Sequence, residues 1–597
     1  MNIVYKIKKT TRNYIFVFKE IKDASNILLF MLVFSTLATG ITPIITQYIL
    51  KSIVSGLENH LNFNDLLVMM VFYVAVLLFQ SLIISGKKYV NTIAGLKLTY
   101  NIQSKLIKKI RKIKYSEFYS PDFQNSYITV LQNSQNETSS LIFSTIFMVS
   151  LVVQLIGNGI ILTSFSPTIL ICLILCALPS IFININIKRK NIKIVEELAL
   201  SYRKIAYYFG VLTEKLFLKE IRIFGAQSFF KDKRKKEFSY YLQVWEKFSQ
   251  SEFAGEFYSS FFPCLGIFSS IAWVIFKVLN EQYSISDFVF YSGIIFSFQS
   301  VFESLISDIS QSYKSVAFVD KLSDFLNAKN EIKSGNKNLK KLDNHTLEFK
   351  NVFLKYPYSQ KYVLKNINFS IRTGEKVALV GKNGCGKTTL INLILRIYDP
   401  TEGEILLDGV NIKEYEYEQY LKFFSAVFQD YQQYSIKLCE YISFGDIKNS
   451  KNILKIKDAA ISSSANDFIE KSEKKWDSDL TTKFNKDGLE LSGGQWQKLA
   501  ISRAIFADKS MLLFDEPTSS LDSISESKIY ECIKNIKDNH MSIFISHRMY
   551  SAKIANKIIY MENGEIKNIG VHKQLLKDSL GYKELFEKQA NKYLLFD

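Results

Sequence analysis

From Thr138 to Ile187 the chain carries no charged residue, a stretch about twice as long as one helix needs to cross a bilayer. In its middle stands Ser164-Phe165-Ser166-Pro167, a turn signal, because proline opens a helix but cannot continue one. The run therefore predicts two membrane helices, 139–163 and 167–187, joined with almost no loop between them. Further apolar stretches at 24–50, 66–86, 257–276 and 288–306 bring the expected spans to six. The last is the weakest, since Glu303 falls in its final turn.

Charge then orients these spans. Lys6, Lys8, Lys9, Arg12, Lys19 and Lys22 precede the first, and a second basic series from Lys87 to Lys114 follows the second. The segment from Lys188 to Glu256 is again rich in Lys and Arg, whereas the alternate connections near 51–65, 164–167 and 277–287 are short and nearly free of them. The positive-inside rule places both termini in the cytoplasm, as expected of a multi-pass protein of the cytoplasmic membrane. The two long inner connections read as helices that continue beyond the bilayer and then reverse. A net charge of +18 invites a nucleic-acid reading, but the basic residues sit where membrane flanks require them, so no nucleic-acid partner is expected. The basic N-terminus lacks a short apolar core followed by a small-residue cleavage site, so it does not read as a signal peptide. The six cysteines show no metal-ligand spacing.

The membrane part is expected to occupy 1–326, and a polar Lys- and Asn-rich linker 327–344. From 345 to 590 short β-rich runs alternate with helical segments, which predicts an α/β domain with a mainly parallel sheet. Gly381-Lys382-Asn383-Gly384-Cys385-Gly386-Lys387-Thr388 follows an apolar strand and opens a helix. That is the pattern of a phosphate-binding loop, whose glycines let backbone N–H groups turn toward phosphate oxygens at a helix N-terminus. Lys387 would hold the β- and γ-phosphates of ATP, and Thr388 would ligate Mg2+. Met511-Leu512-Leu513-Phe514-Asp515-Glu516 is an apolar strand ending in two carboxylates. Asp515 would hold the metal and Glu516 would polarise the attacking water.

Leu491-Ser492-Gly493-Gly494-Gln495 resembles the signature of the ABC transporter family, and the exporter type in particular joins six spans to one ATPase domain. The resemblance covers the soluble half and the topology of the rest. It implies that Tyr356 stacks on adenine (Tyr358 being a second candidate), that Gln429 reaches Mg2+ and couples the site to the membrane domain, and that His547 stands near the γ-phosphate. It also implies that Gly381, Asn383, Gly384, Gly386, Lys387, Thr388 and Thr389 line the nucleotide. Ser492, Gly493, Gly494 and Gln495 would complete the site of a second copy, and Ser519-Ser520-Leu521-Asp522 would communicate across that dimer, Asp522 at its edge. Glu516, His547 and Gln429 are thus the expected catalytic residues, with Thr388, Gln429 and Asp515 on the metal. A homodimer is expected, a heterodimer being the alternative.

Two segments, 115–123 and 213–227, lie at the turning points of the long inner connections and resemble the coupling helices of such exporters. The strings around Gln429 and Trp496 are similar to those of lanthipeptide and bacteriocin exporters. This implies a ribosomally made, modified peptide as cargo, with membrane lipid as surroundings and peptide-modification enzymes as candidate partners. No cysteine precedes Cys172, so no N-terminal leader peptidase is expected. A multidrug or lipid exporter is the alternative, and an importer on the same scaffold a further one. Gln47, Gln154, Asn158 and Gln299 are polar residues within the spans, read as cavity lining or as helix–helix hydrogen bonds.

Overall fold

The computed structural model describes Ile15, Lys19 and residues 26–594, apart from Gln135, Lys341, Tyr358, Ser519, Ser520, His547 and Arg548. Among the described residues, six helices are long and apolar enough to cross a membrane. They belong to α1 (Asn26–Glu58), α2 (Phe63–Ile110), α4 (Asn136–Phe165), α5 (Pro167–Thr213), α7 (Gln227–Leu279) and α8 (Ile285–Asn327). The short α3 (Pro121–Asn133) and α6 (Lys215–Ile223) lie between them. The chain forms two compact units. One runs to Arg111 and from Asn125 to Ala328; the other joins Lys112–Gln124 to everything from Lys329 onward.

In the first unit α2, α5 and α7 have 48, 47 and 53 residues. At about 1.5 Å per residue each reaches roughly 70–80 Å, more than twice the hydrocarbon thickness of a bilayer. The turn between α4 and α5 forms as expected: Ser166 is extended, with φ −160°, and Pro167 occupies the first helical position. No residue is fully buried in the apolar window of α2: most of its side chains face outward, as they would toward lipid, while a half-buried stripe through Leu66, Met69, Tyr73, Val76, Gln80 and Ile83 faces inward. Close approaches hold the bundle. A side chain at Gly40 would come within 2.9 Å of the Ser150 carbonyl on α4. Three of the polar residues of the spans make side-chain hydrogen bonds. Gln154 and Asn158 on α4 both donate to Ser297 Oγ on α8, at 3.2 and 2.9 Å, and Gln299 donates to Glu303 on its own helix. At one end, Lys51 of α1 pairs with Asp287 of α8 at 2.7 Å, and Ser284 and Asp287 cap α8 reciprocally.

The second unit holds two sheets. The larger has strand order β10-β9-β3-β8-β7-β6, with β3 (Lys376–Gly381), β6 (Phe424–Val427), β7 (Met511–Asp515), β8 (Met541–Ile545) and β9 (Lys557–Glu562) parallel. Only β10 (Glu565–Gly570) runs antiparallel in it. β3, β7 and β8 are buried almost throughout, which is why they read as unbroken apolar runs. The smaller sheet, β2-β1-β4-β5, with β4 (Glu402–Leu407) and β5 (Val410–Asn411), is wholly antiparallel and was not expected. β1 (Thr346–Lys355) and β2 (Tyr362–Arg372) bury one face only, on a core that includes Phe349, Phe369 and Leu390.

Candidate nucleotide-binding site

β3 delivers the glycine-rich loop at its C-terminal end, in the middle of the parallel sheet, and the loop runs into α9 (Lys387–Ile394). Gly384 and Gly386 take positive φ, +77° and +105°, where a side chain would be strained. At Gly386 an added Cβ would also strike Leu364 of β2. Lys387 is buried, its Nζ donating to the carbonyls of Gly381 and Lys382 at 2.8 and 3.0 Å. Burial raises the Cys385 thiol above its ordinary range, so that side chain is packing rather than a reactive group.

Four of the expected residues meet here. Thr388 Oγ1 donates to Asp515 Oδ1 at 3.4 Å, where β7 ends, and Gln429 Nε2 donates to Glu516 Oε2 at 3.1 Å. Thr388, Gln429 and Asp515 line one cavity of about 810 Å³ together with Tyr356. Hydroxyl, amide and carboxylate oxygens suit Mg2+, which takes few protein ligands and leaves room for phosphate oxygens. The cavity is ample for a nucleotide. The Tyr356 hydroxyl lies 2.8 Å from Thr389 Oγ1, tying the expected base platform to α9.

Glu516 has φ +51°, a left-handed conformation that a glutamate adopts only when its surroundings enforce it. Gln497, buried, donates to the Glu516 carbonyl at 3.2 Å and so helps to fix this stretch of backbone. Sequence reasoning missed Gln497, although it stands two positions beyond Gln495.

Ser492 caps α10 (Gly493–Ala507) in a reciprocal pair with Gln495, so these two have a local structural task as well. Gly493 accepts a 2.7 Å hydrogen bond from Tyr431. Ser492, Gly493, Gly494, Gln495 and Asp522 do not line the cavity of their own chain. Asp522 caps the next helix, α11 (Ser523–Lys534), and hydrogen bonds from Ser525 hold its carboxyl below the usual range. Trp496, read from sequence as a hint of cargo class, is 2% exposed in a core with Tyr441 and Leu499. His547, Ser519, Ser520 and Tyr358 lie outside the described residues.

The cavity has a wall that local motifs did not reveal. Tyr115 and Tyr119, from the first turning segment, line it beside Tyr398. Ile113 bridges to Glu331, and Lys114 N donates to Asn330 O at 3.1 Å, which anchors the segment. Tyr398 packs edge-on against Tyr115 and Tyr356, at 6.3 and 5.1 Å between ring centres. Burial, and then a hydrogen bond with Tyr119, pushes the Tyr398 phenol above its ordinary range, so it stays protonated. Tyr119, Tyr398, Tyr356 and Thr389 thereby form a continuous chain to α9. The clue in the sequence was the aromatic density of Tyr115–Phe123, but its destination was not legible.

Comparison with known proteins follows the same division. A family description reading "ABC transporter transmembrane region" matches residues 27–301, and one reading "ABC transporter" matches 364–519. The subtilin transport ATP-binding protein of Bacillus subtilis is 29% identical over 577 residues, covering 96% of this chain and 93% of that one. The nisin transport ATP-binding protein of Lactococcus lactis subsp. lactis is 26% identical, covering 92% and 91%. An ATP-dependent lipid A-core flippase of Haemophilus ducreyi is 34% identical over 52% of this chain and 53% of its own. A solved structure of a bacterial Atm1-family ABC exporter with ATP bound superposes with a TM-score of 0.84 at 20% identity, over 95% of this chain and 99% of that one.

Proposed function

The chain belongs to the ABC transporters of exporter type, with membrane and ATPase domains fused, and from that premise we propose that it exports a ribosomally made, modified peptide across the cytoplasmic membrane as a dimer of two copies. Its ATPase activity is assigned to this cavity. The observation that carries the assignment is the pairing of Thr388 with Asp515 and of Gln429 with Glu516 at one end of the parallel sheet. Lys387 and the loop N–H groups would bind the phosphates, and Tyr356 the adenine. Thr388, Gln429 and Asp515 would hold Mg2+, which supplies charge neutralisation on the phosphates. Glu516 would accept the proton of the attacking water, its carboxylate aimed by Gln429 and its backbone by Gln497. His547 is assigned the γ-phosphate from its place in sequence alone. That Ser492 and Gly494 lie off their own cavity supports their serving the partner's site, with Asp522 at the shared edge. The basic flanks support cytoplasmic termini.

Peptide cargo rests on the two transport relatives, each covered over more than nine-tenths of its length. Lipid export is the second reading, favoured by the flippase match, but that match spans about half of each chain. The test is ATPase stimulation of the purified, reconstituted protein by a panel of leader-bearing peptides, drugs and lipids. Stimulation by lipids but not peptides replaces the cargo. For the site, Glu516→Gln is expected to lower turnover by about 10²–10⁴-fold and to trap an ATP-bound dimer. Hydrolysis at the unaltered rate would remove Glu516 from the mechanism.

A further inference from the structure

Inside the first unit a cavity of about 410 Å³ opens between α1, α2, α4 and α8. Its lining is unusual for a membrane domain. Ser150, Gln154, Ser297, Ser300 and Ser304 present hydroxyls and an amide, and Lys87 is the one charged residue among the described lining. Ser297, Ser300 and Ser304 recur at helical spacing, so they share one face of α8. Lys87 Nζ sits 5.5 Å from the centre of the Phe147 ring, itself part of the lining, which puts the ammonium at the cavity wall. Among the described residues no carboxylate lies within ion-pair distance of it. Gln154 is eleven residues from the end of α4 at Phe165 and Ser297 twelve from the start of α8 at Ile285, each about 16–18 Å into the bilayer. Lys87 closes the apolar run of α2 some 36 Å from Phe63, at the opposite boundary. The polar column thus runs from mid-membrane to one face, with its only charge at that face.

Lys87 stands at the membrane boundary, yet it is half-buried against the cavity wall without a counter-ion, which is costly, so a ligand that brings a carboxylate into the cavity is favoured there. We infer that this cavity binds an acidic side chain of the exported peptide, with Lys87 as its counter-ion and the α8 serines as hydrogen-bond donors to the carboxylate. One cation matches one carboxylate; a lipid headgroup with several phosphates would leave charge uncompensated. The inference deepens the peptide-export reading and rests on it.

The experiment uses the full-length protein in phosphatidylcholine vesicles and three amphipathic synthetic peptides, C-terminally amidated, that differ at one position carrying Glu, Gln or Lys, beside the leader-bearing panel. The readout is the concentration giving half-maximal ATPase stimulation. The Glu peptide is expected to act at about tenfold lower concentration than the Gln peptide, as one charged hydrogen-bonded contact would give. Lys87→Arg should keep that preference, Lys87→Gln should erase it, and Lys87→Glu should transfer it to the Lys peptide. Transfer is a gained property that a misfolded variant could not show. Equal response to Glu and Gln peptides, or a preference that survives in Lys87→Gln, overturns the site while leaving peptide export standing. Lys87-dependent stimulation by phosphatidylglycerol vesicles with no response to any peptide overturns the peptide reading and the carboxylate assignment with it.

Discussion

The two turning segments of the long connections face different surroundings. The first, Lys112–Gln124, is part of the same compact unit as the nucleotide cavity, and its Tyr115 and Tyr119 line that cavity. The second, built on α6, leaves Leu216, Ile223 and Phe224 at 81%, 79% and 78% exposure. The first is denser in aromatics and carries Tyr115 and Tyr119 where the second has no tyrosine, but composition does not say what either segment meets. The difference teaches that two turning points of like position can meet unlike surroundings: one is packed into a cavity wall, and the other leaves apolar side chains at the surface.

The strongest test of that contrast removes the bridge. Tyr398→Ala deletes a buried ring from between Tyr115 and Tyr356 and should cost about 3 kcal/mol of stability in the nucleotide unit, read by thermal unfolding, with ATP KM raised more than tenfold. Unchanged KM would mean that the first segment does not report on the nucleotide. Next, Phe224→Asp should lower peptide-stimulated ATPase about tenfold while shifting stability by no more than about 0.5 kcal/mol, because the ring is exposed within one chain. A large stability loss would erase the contrast. A smaller effect is expected from Tyr119→Phe, which keeps the ring and loses the hydroxyl bond to Tyr398; KM should rise about threefold with kcat unaltered.

The smallest effect is in alkali. The Tyr398 phenol is raised in the folded protein, so the unfolded chain loses that proton first as pH rises. The stability it contributes is present below the ordinary phenol value of about 10 and falls as pH climbs from there toward the folded value. Hydrogen exchange should loosen at residues 112–124 above about pH 10 and less so in Tyr398→Phe. Residues 214–226 contain no tyrosine and should not share that response.

Much of the site was legible because its chemistry is local. The glycines at 384 and 386 stand where the backbone must take positive φ, and Lys387 and Thr388 follow within one turn. Asp515 and Glu516 end a strand whose apolar run marks it as buried. The antiparallel sheet is not legible in the sequence because the pairing of β1 with β4, which joins its two local hairpins, connects distant parts of the chain, and half of each long strand faces outward. That Trp496 packs in a core with Tyr441 and Leu499 was not legible, because burial cannot be read from one aromatic beside a motif.

By itself the sequence determined six apolar helices, one phosphate-binding loop and the order of its accompanying motifs, since hydrophobic run length and backbone geometry act over a few residues. Only the tertiary structure decided that Gln497 donates to the carbonyl of the left-handed Glu516, that Tyr119 reaches Tyr398, and that Lys87 shares a cavity with Ser297. Those relations join residues tens to hundreds of positions apart, and only the packing of helices and sheets brings such residues within reach of a hydrogen bond or a charge.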